Sequence, residues 1–114
     1  MDALSSALLS RSLDGLALRF AYLSQNIANA NTPNYAPVRV SFEDGLRAAM
    51  THGADAVRAS HPQLVSEAPM NGAQALRVDL ELASASQTAM RYRALIDLLG
   101  RQFALERAAI VGGR

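Results

Sequence analysis

Few residues of this chain combine the type and spacing that catalysis or metal binding requires. His52 and His61 stand nine positions apart in a segment without regular period, and no further ligand lies at metal spacing beside them. They read as solvated loop residues. Glu43 and Asp44 are adjacent carboxylates without a partner site, so an acid–base pair is not expected. Ser5, Ser6, Ser10 and Ser12 lie along a helical pattern with no nucleophile motif around them. There is no cysteine, hence no thiolate or disulfide chemistry, and no glycine-rich phosphate loop. The expectation is a chain with no catalytic residue, no metal and no cofactor.

The one dense cluster of polar function is made of amides. Asn26, Asn29 and Asn31 are followed by Thr32, Pro33, Asn34 and Tyr35. Each asparagine side chain both donates and accepts hydrogen bonds, and it competes with the helical backbone for nearby groups. Pro33 lacks an N–H and pushes Thr32 towards an extended conformation. The chemistry this allows is structural: a built corner that stops a helix and redirects the chain.

The elements that flank the corner carry the strongest periodicity. Leu9, Leu13, Leu16, Phe20, Leu23 and Ile27 alternate spacings of four and three, a heptad seam. This predicts a helix from about Ala3 to Asn29, roughly 40 Å long, with Gly15 as a mild defect. A second stripe, Leu82, Ala85, Ala89, Tyr92, Ile96, Leu99, Phe103 and Ile110, predicts a C-terminal helix ended by Gly112-Gly113. Leu95, Leu98 and Leu105 widen it, so it should touch more than one neighbour. Asp97 and Arg101 are spaced as an ion pair within that helix.

The middle of the chain reads differently. Val38 to Phe42 alternates like a short strand, and Phe42, Leu46, Ala49 and Met50 fit one or two helical turns. From Thr51 to Gly72 no period is sustained, with Gly53, Pro62, Pro69 and Asn71-Gly72 as punctuation. Leu76, Val78 and Leu80 alternate again. The fold class is therefore mainly α: residues 1–35 form a helix and its asparagine-rich corner, 36–77 a small irregular connector with room for a strand pair, and 78–114 a second helix. The two helices form one structural unit, a coiled-coil layer.

Half the residues are apolar, but only three Phe, three Tyr and no Trp are present, which favours thin seams over a thick core. All eleven basic residues are arginine, and the net charge of +1 draws the chain neither to nucleic acid nor to anionic membrane. Arg91, Arg93, Arg101 and Arg107 do not share a stripe, and Asp97 and Glu106 interleave with them. No apolar run is long enough for a signal peptide or a membrane span. Seams this wide exceed what one helix pair can bury, so subunit contacts are expected.

Arg19, seven residues before Asn26-Ile27-Ala28-Asn29-Ala30-Asn31-Thr32-Pro33-Asn34-Tyr35, resembles the N-terminal signature of bacterial flagellar axial proteins, the rod, hook and hook-junction subunits. Asn34 replaces the usual glycine, and asparagine tolerates the left-handed conformation. The short chain, the segment Phe42-Glu43-Asp44-Gly45-Leu46 and the ending from Val78-Asp79-Leu80-Glu81 through Arg91-Tyr92-Arg93-Ala94-Leu95 to Ile110 are most similar to the proximal subfamily of the basal-body rod. The resemblance covers both ends and leaves the connector largely unmatched. It implies a structural subunit of the periplasm-spanning drive shaft, exported through the flagellar type III apparatus without a cleaved signal peptide. Implied partners are copies of itself, other rod proteins and an adaptor at the membrane ring or export gate. The alternatives are another short rod component, or a soluble helical adaptor or DNA-binding regulator that dimerises through the same heptads.

Overall fold

Asp2 starts the first helix by accepting, on its side chain, a hydrogen bond from the Ser5 N–H at 2.7 Å. This satisfies one of the donors that a helix start leaves open. A computed structural model describes residues 1–70 and 76–113; the Asn71-Gly72 turn signal lies outside them. In chain order the elements are α1 (Ala3–Ala28), β1 (Val38–Ser41), α2 (Glu43–Met50), α3 (Ala54–Ala59), β2 (Gln63–Ser66) and α4 (Val78–Gly112). The molecule is a thin rod with extents of 67 × 27 × 14 Å.

The two terminal helices pair along their length in antiparallel sense. The Met1 amine meets Glu106 at 3.0 Å, Leu16 and Phe20 lie beside Ala89 and Ile96, and Leu23 shares a recess with Ser84. Of the predicted α1 seam, Leu9, Leu16 and Leu23 are buried, Leu13 and Ile27 half-buried, and Phe20 is exposed. On α4 the buried line is offset from the predicted stripe. It runs through Glu81, Ala85 and Thr88, then the half-buried Leu95, Leu99 and Gln102. Asp97 and Arg101 make no ion pair among the described residues.

The connector is more ordered than its sequence indicates. β1 and β2 form an antiparallel pair with Val38 opposite Ser66 and Ser41 opposite Gln63. The expected strand and helical turns over 38–50 are β1 and α2, but the partner strand is Gln63–Ser66. Leu76, Val78 and Leu80 supply no strand, because from Val78 onward the chain takes the helical period of α4. The short helix α3 follows Gly53, whose φ of +95° suits glycine. It buries a single residue, Val57, completely, too little to leave a readable period.

These pieces fold back onto α1. Val40, Phe42, Leu46 and Val57 form one cluster with Ala7 and Leu16 of α1, and Leu95 of α4 packs against it. Gly15 explains the close approach. A Cβ built there would sit 2.5 Å from the Phe42 ring, so the apparent helix defect is the seat of the largest core side chain. Gly15→Ala should therefore lower stability by about 2 kcal/mol through overpacking, although alanine is the better helix former. Gly100→Ala, with open space around its Cβ, should instead raise stability by up to about 1 kcal/mol. Urea unfolding of the two variants beside the parent checks both signs.

Candidate functional site

α1 ends where the amide cluster begins. Asn29 is its C-cap, with its N–H bonded to the Gln25 carbonyl at 3.0 Å. The Asn29 side chain donates to that same carbonyl at 2.9 Å and accepts from the Thr32 hydroxyl at 3.0 Å. Asn31, Thr32 and Pro33 are exposed on the outside of the turn. Asn34 takes the left-handed conformation with φ of 61°, which a short amide side chain tolerates. Its N–H donates to the Met70 carbonyl at 3.1 Å, and the Met70 N–H returns to the Tyr35 carbonyl at 2.8 Å.

Asn26 has the decisive position. It is completely buried. Its Nδ2 donates to the Val38 carbonyl at 2.9 Å, and its Oδ1 accepts from the Val38 N–H at 3.1 Å and from the Tyr35 hydroxyl at 2.8 Å. Burial pushes the Tyr35 phenol up, which keeps it a donor. The side-chain amide thus pairs with Val38 as a neighbouring strand would. The reason lies in the ladder. Pro37 accepts from the Glu67 N–H at 2.8 Å, so alternate residues 37, 39 and 41 face β2 while 38 and 40 face outward. The outward groups meet α1.

Arg19, one heptad before Asn26, takes the next outward carbonyl. Its Nη2 donates to Val40 O at 2.7 Å, its guanidinium forms a two-pronged bridge to Glu43 with both contacts at 2.6 Å, and it lies 4.6 Å above the Phe42 ring. Hydrogen bonding to Arg19 lowers the Glu43 carboxyl to about 2. On the inner side, Arg39 bridges Glu67 at 2.7 Å and the buried Glu81 of α4 at 2.6 Å. This clamp ties the sheet to the start of α4. Its signal in the sequence was slight: one arginine between two valines, and one glutamate on an otherwise small-residue line.

The second feature is an open apolar face. Leu82, Ile96, Phe103 and Ile110, all members of the predicted α4 stripe, are 52%, 41%, 58% and 71% exposed, and Ala89 is exposed between them. Tyr92 shares this exposure. Of the stripe only Ala85 is buried and Leu99 half-buried within the chain. Leu98 and Leu105 are exposed on the other flank. Beside the stripe, Leu16, Phe20, Ala89, Tyr92, Arg93 and Ile96 line a recess of about 480 Å³ between the helices.

His52 and His61 are exposed in the connector, and among the described residues no group of three or more His, Cys, Asp or Glu could hold a metal ion. No described helix is long and apolar enough to cross a membrane. No protein-family model and no curated protein matches the chain.

Asn26→Ala would orphan two part-buried backbone groups of Val38 and the Tyr35 hydroxyl and should cost about 3 kcal/mol, while exposed Asn31→Ala should stay within about 0.5 kcal/mol. Denaturant titration of both variants measures the contrast, and equal effects would contradict the latch. The Glu43 carboxyl has its folded value below its unfolded value of 4.5. Its contribution is therefore complete above that pH and is lost as pH falls from 4.5 towards about 2. Solvent exposure limits it to at most about 1 kcal/mol. Glu43→Gln should flatten the parent's acid destabilisation in that window, which thermal melts at stepped pH would record.

Proposed function

We propose that this chain is a structural subunit of the bacterial flagellar basal-body rod, most similar to the proximal rod protein, and that its work is assembly. The observation that carries this reading is the corner. The residues that bear the resemblance, Arg19 and Asn26 with Tyr35, are the ones that fasten the connector to α1. Amides that pair with backbone groups and with neighbouring hydroxyls of the same corner are the chemistry of a structural joint.

The uncovered apolar residues of α4, on the stripe and on its other flank, support the same reading from energetics. Each fully buried leucine contributes about 1.5–3 kcal/mol, and the chain leaves Leu82, Leu98 and Leu105 half or more exposed. Neighbouring subunits of the same or related rod proteins would cover them. Such a subunit would reach the periplasm through the type III apparatus and join an axle that transmits torque and carries later substrates. It has no enzymatic role in this reading.

Phe103→Asp tests the assembly face without touching the core, since Phe103 is mostly exposed in the isolated chain. The variant should fold with near-parental stability yet fail to restore swimming to a strain lacking the gene, and it should be missing from purified basal bodies. Full motility with Phe103→Asp would contradict the packing claim. Recovery of the parent chain only from the cytoplasm, on DNA or a client protein, would sink the rod assignment.

A further inference from the structure

The exposed stripe on α4 has an order that a second copy of the same helix can read. Leu82, Ala89, Ile96, Phe103 and Ile110 recur every seven residues, and all five are exposed. A seven-residue repeat on a straight α-helix drifts by ~20° per heptad, ~80° over these four, so the five form a slowly winding line on one side of α4, the winding that a two-helix supercoil follows. The sizes are complementary about the middle of that line. A reversed copy placed with Ile96 on Ile96 sets Leu82 against Ile110 and the small Ala89 against the large Phe103.

We propose that two copies of this chain pair through this line with their α4 helices antiparallel, about a two-fold axis at Ile96. The recess of about 480 Å³ bordered by Ala89, Phe20 and Tyr92 receives Phe103 of the other copy. A parallel pair would set Ala89 against Ala89 and Phe103 against Phe103, leaving a void at one level and a clash at the other. Charge agrees with the antiparallel sense. Arg93 and Asp97 flank the line on one side, and the reversed register brings Arg93 of each copy beside Asp97 of the other. Among the described residues neither is in an ion pair within the chain.

The area is of the right order. The line together with Phe20 and Tyr92 leaves on the order of 600 Å² of apolar side chain uncovered on each copy, near the ~800 Å² per partner of a standard interface. A two-fold contact is closed: each copy uses the same surface and no further copy can add to it. If the chain builds a polar shaft as proposed above, this pair hides the assembly face and must open before growth. The pairing itself does not depend on that reading.

The absence of cysteine makes the test direct in the full-length chain. Ile96→Cys should give a disulfide-linked dimer under mild oxidation. A mixture of Ala89→Cys and Phe103→Cys chains should cross-link to each other at least about tenfold more than either links to itself, as an isologous reversed contact demands. Arg101→Cys, on the opposite side of α4, should not link. Sedimentation of the parent should show a monomer–dimer equilibrium, shifted towards monomer by Ile96→Asp by roughly 100-fold in dissociation constant, since a buried charge would lack a partner. A parent that stays monomeric with no Ile96→Cys dimer would overturn the proposal. So would preferential linking of Ala89→Cys or of Phe103→Cys with itself, which marks a parallel pair. Both measurements use purified protein, so their failure is separable from a failure of the motility test.

Discussion

The rest of the structure depends on one side chain standing in for a β-strand. Among the described residues no strand lies beside the outer edge of β1, and its groups at Val38 and Val40 would otherwise face the side of a helix without partners. Asn26 answers Val38 with a donor and an acceptor in one planar group, and Arg19 answers Val40. Their heptad spacing keeps both on the same side of α1. An unpaired backbone group at a buried position costs as much as several surface contacts contribute, so this pairing fixes where the sheet may lie.

Consequences spread outward from that placement. With β1 held against α1, the chain after it delivers Phe42 onto Gly15, where the missing Cβ leaves room for the ring. Leu46 and Val57 then close over the same spot. The other side of β1 points Arg39 towards Glu67 and Glu81, and that clamp registers the beginning of α4 against the sheet. The corner therefore sets both the seat of the small core and the docking of the second long helix. The side-chain amides of Asn26 and Asn29 find partners within the chain, while Asn31 is exposed.

The same geometry leaves an apolar face of α4 uncovered. A layer two helices wide can cover one line on each, and α4 has apolar residues on both sides of its buried line. Helix pairing uses the Glu81, Ala85 and Thr88 line, and the Arg39 clamp holds Glu81 on that same face. The heptad stripe is thereby turned half outward. A closed pair through this stripe and a polar assembly through the same stripe are mutually exclusive uses of one surface, and the balance between them is a matter of the residues that face Ile96 and Phe103.

The two long helices, their ends and the corner were legible in the sequence because each is coded locally. The α1 seam repeats without interruption, Asn29 and the residues after it halt the helix, and Asn34 can take a positive φ in the absence of any tertiary contact. The strand at Val38 and the turns at Phe42 to Met50 were likewise readable from their own periods. What the sequence could not disclose is everything that depends on residues distant along the chain. Gln63–Ser66 becomes a strand because β1 offers it a ladder, and α3 forms because one buried valine anchors it. Gly15 reads as a weakness until Phe42 arrives twenty-seven residues later. The sequence by itself determined two apolar-striped helices joined by an amide corner. Only the tertiary structure decided which face of α4 turns inward, because the residues that this face meets, Arg39 among them, lie far away along the chain.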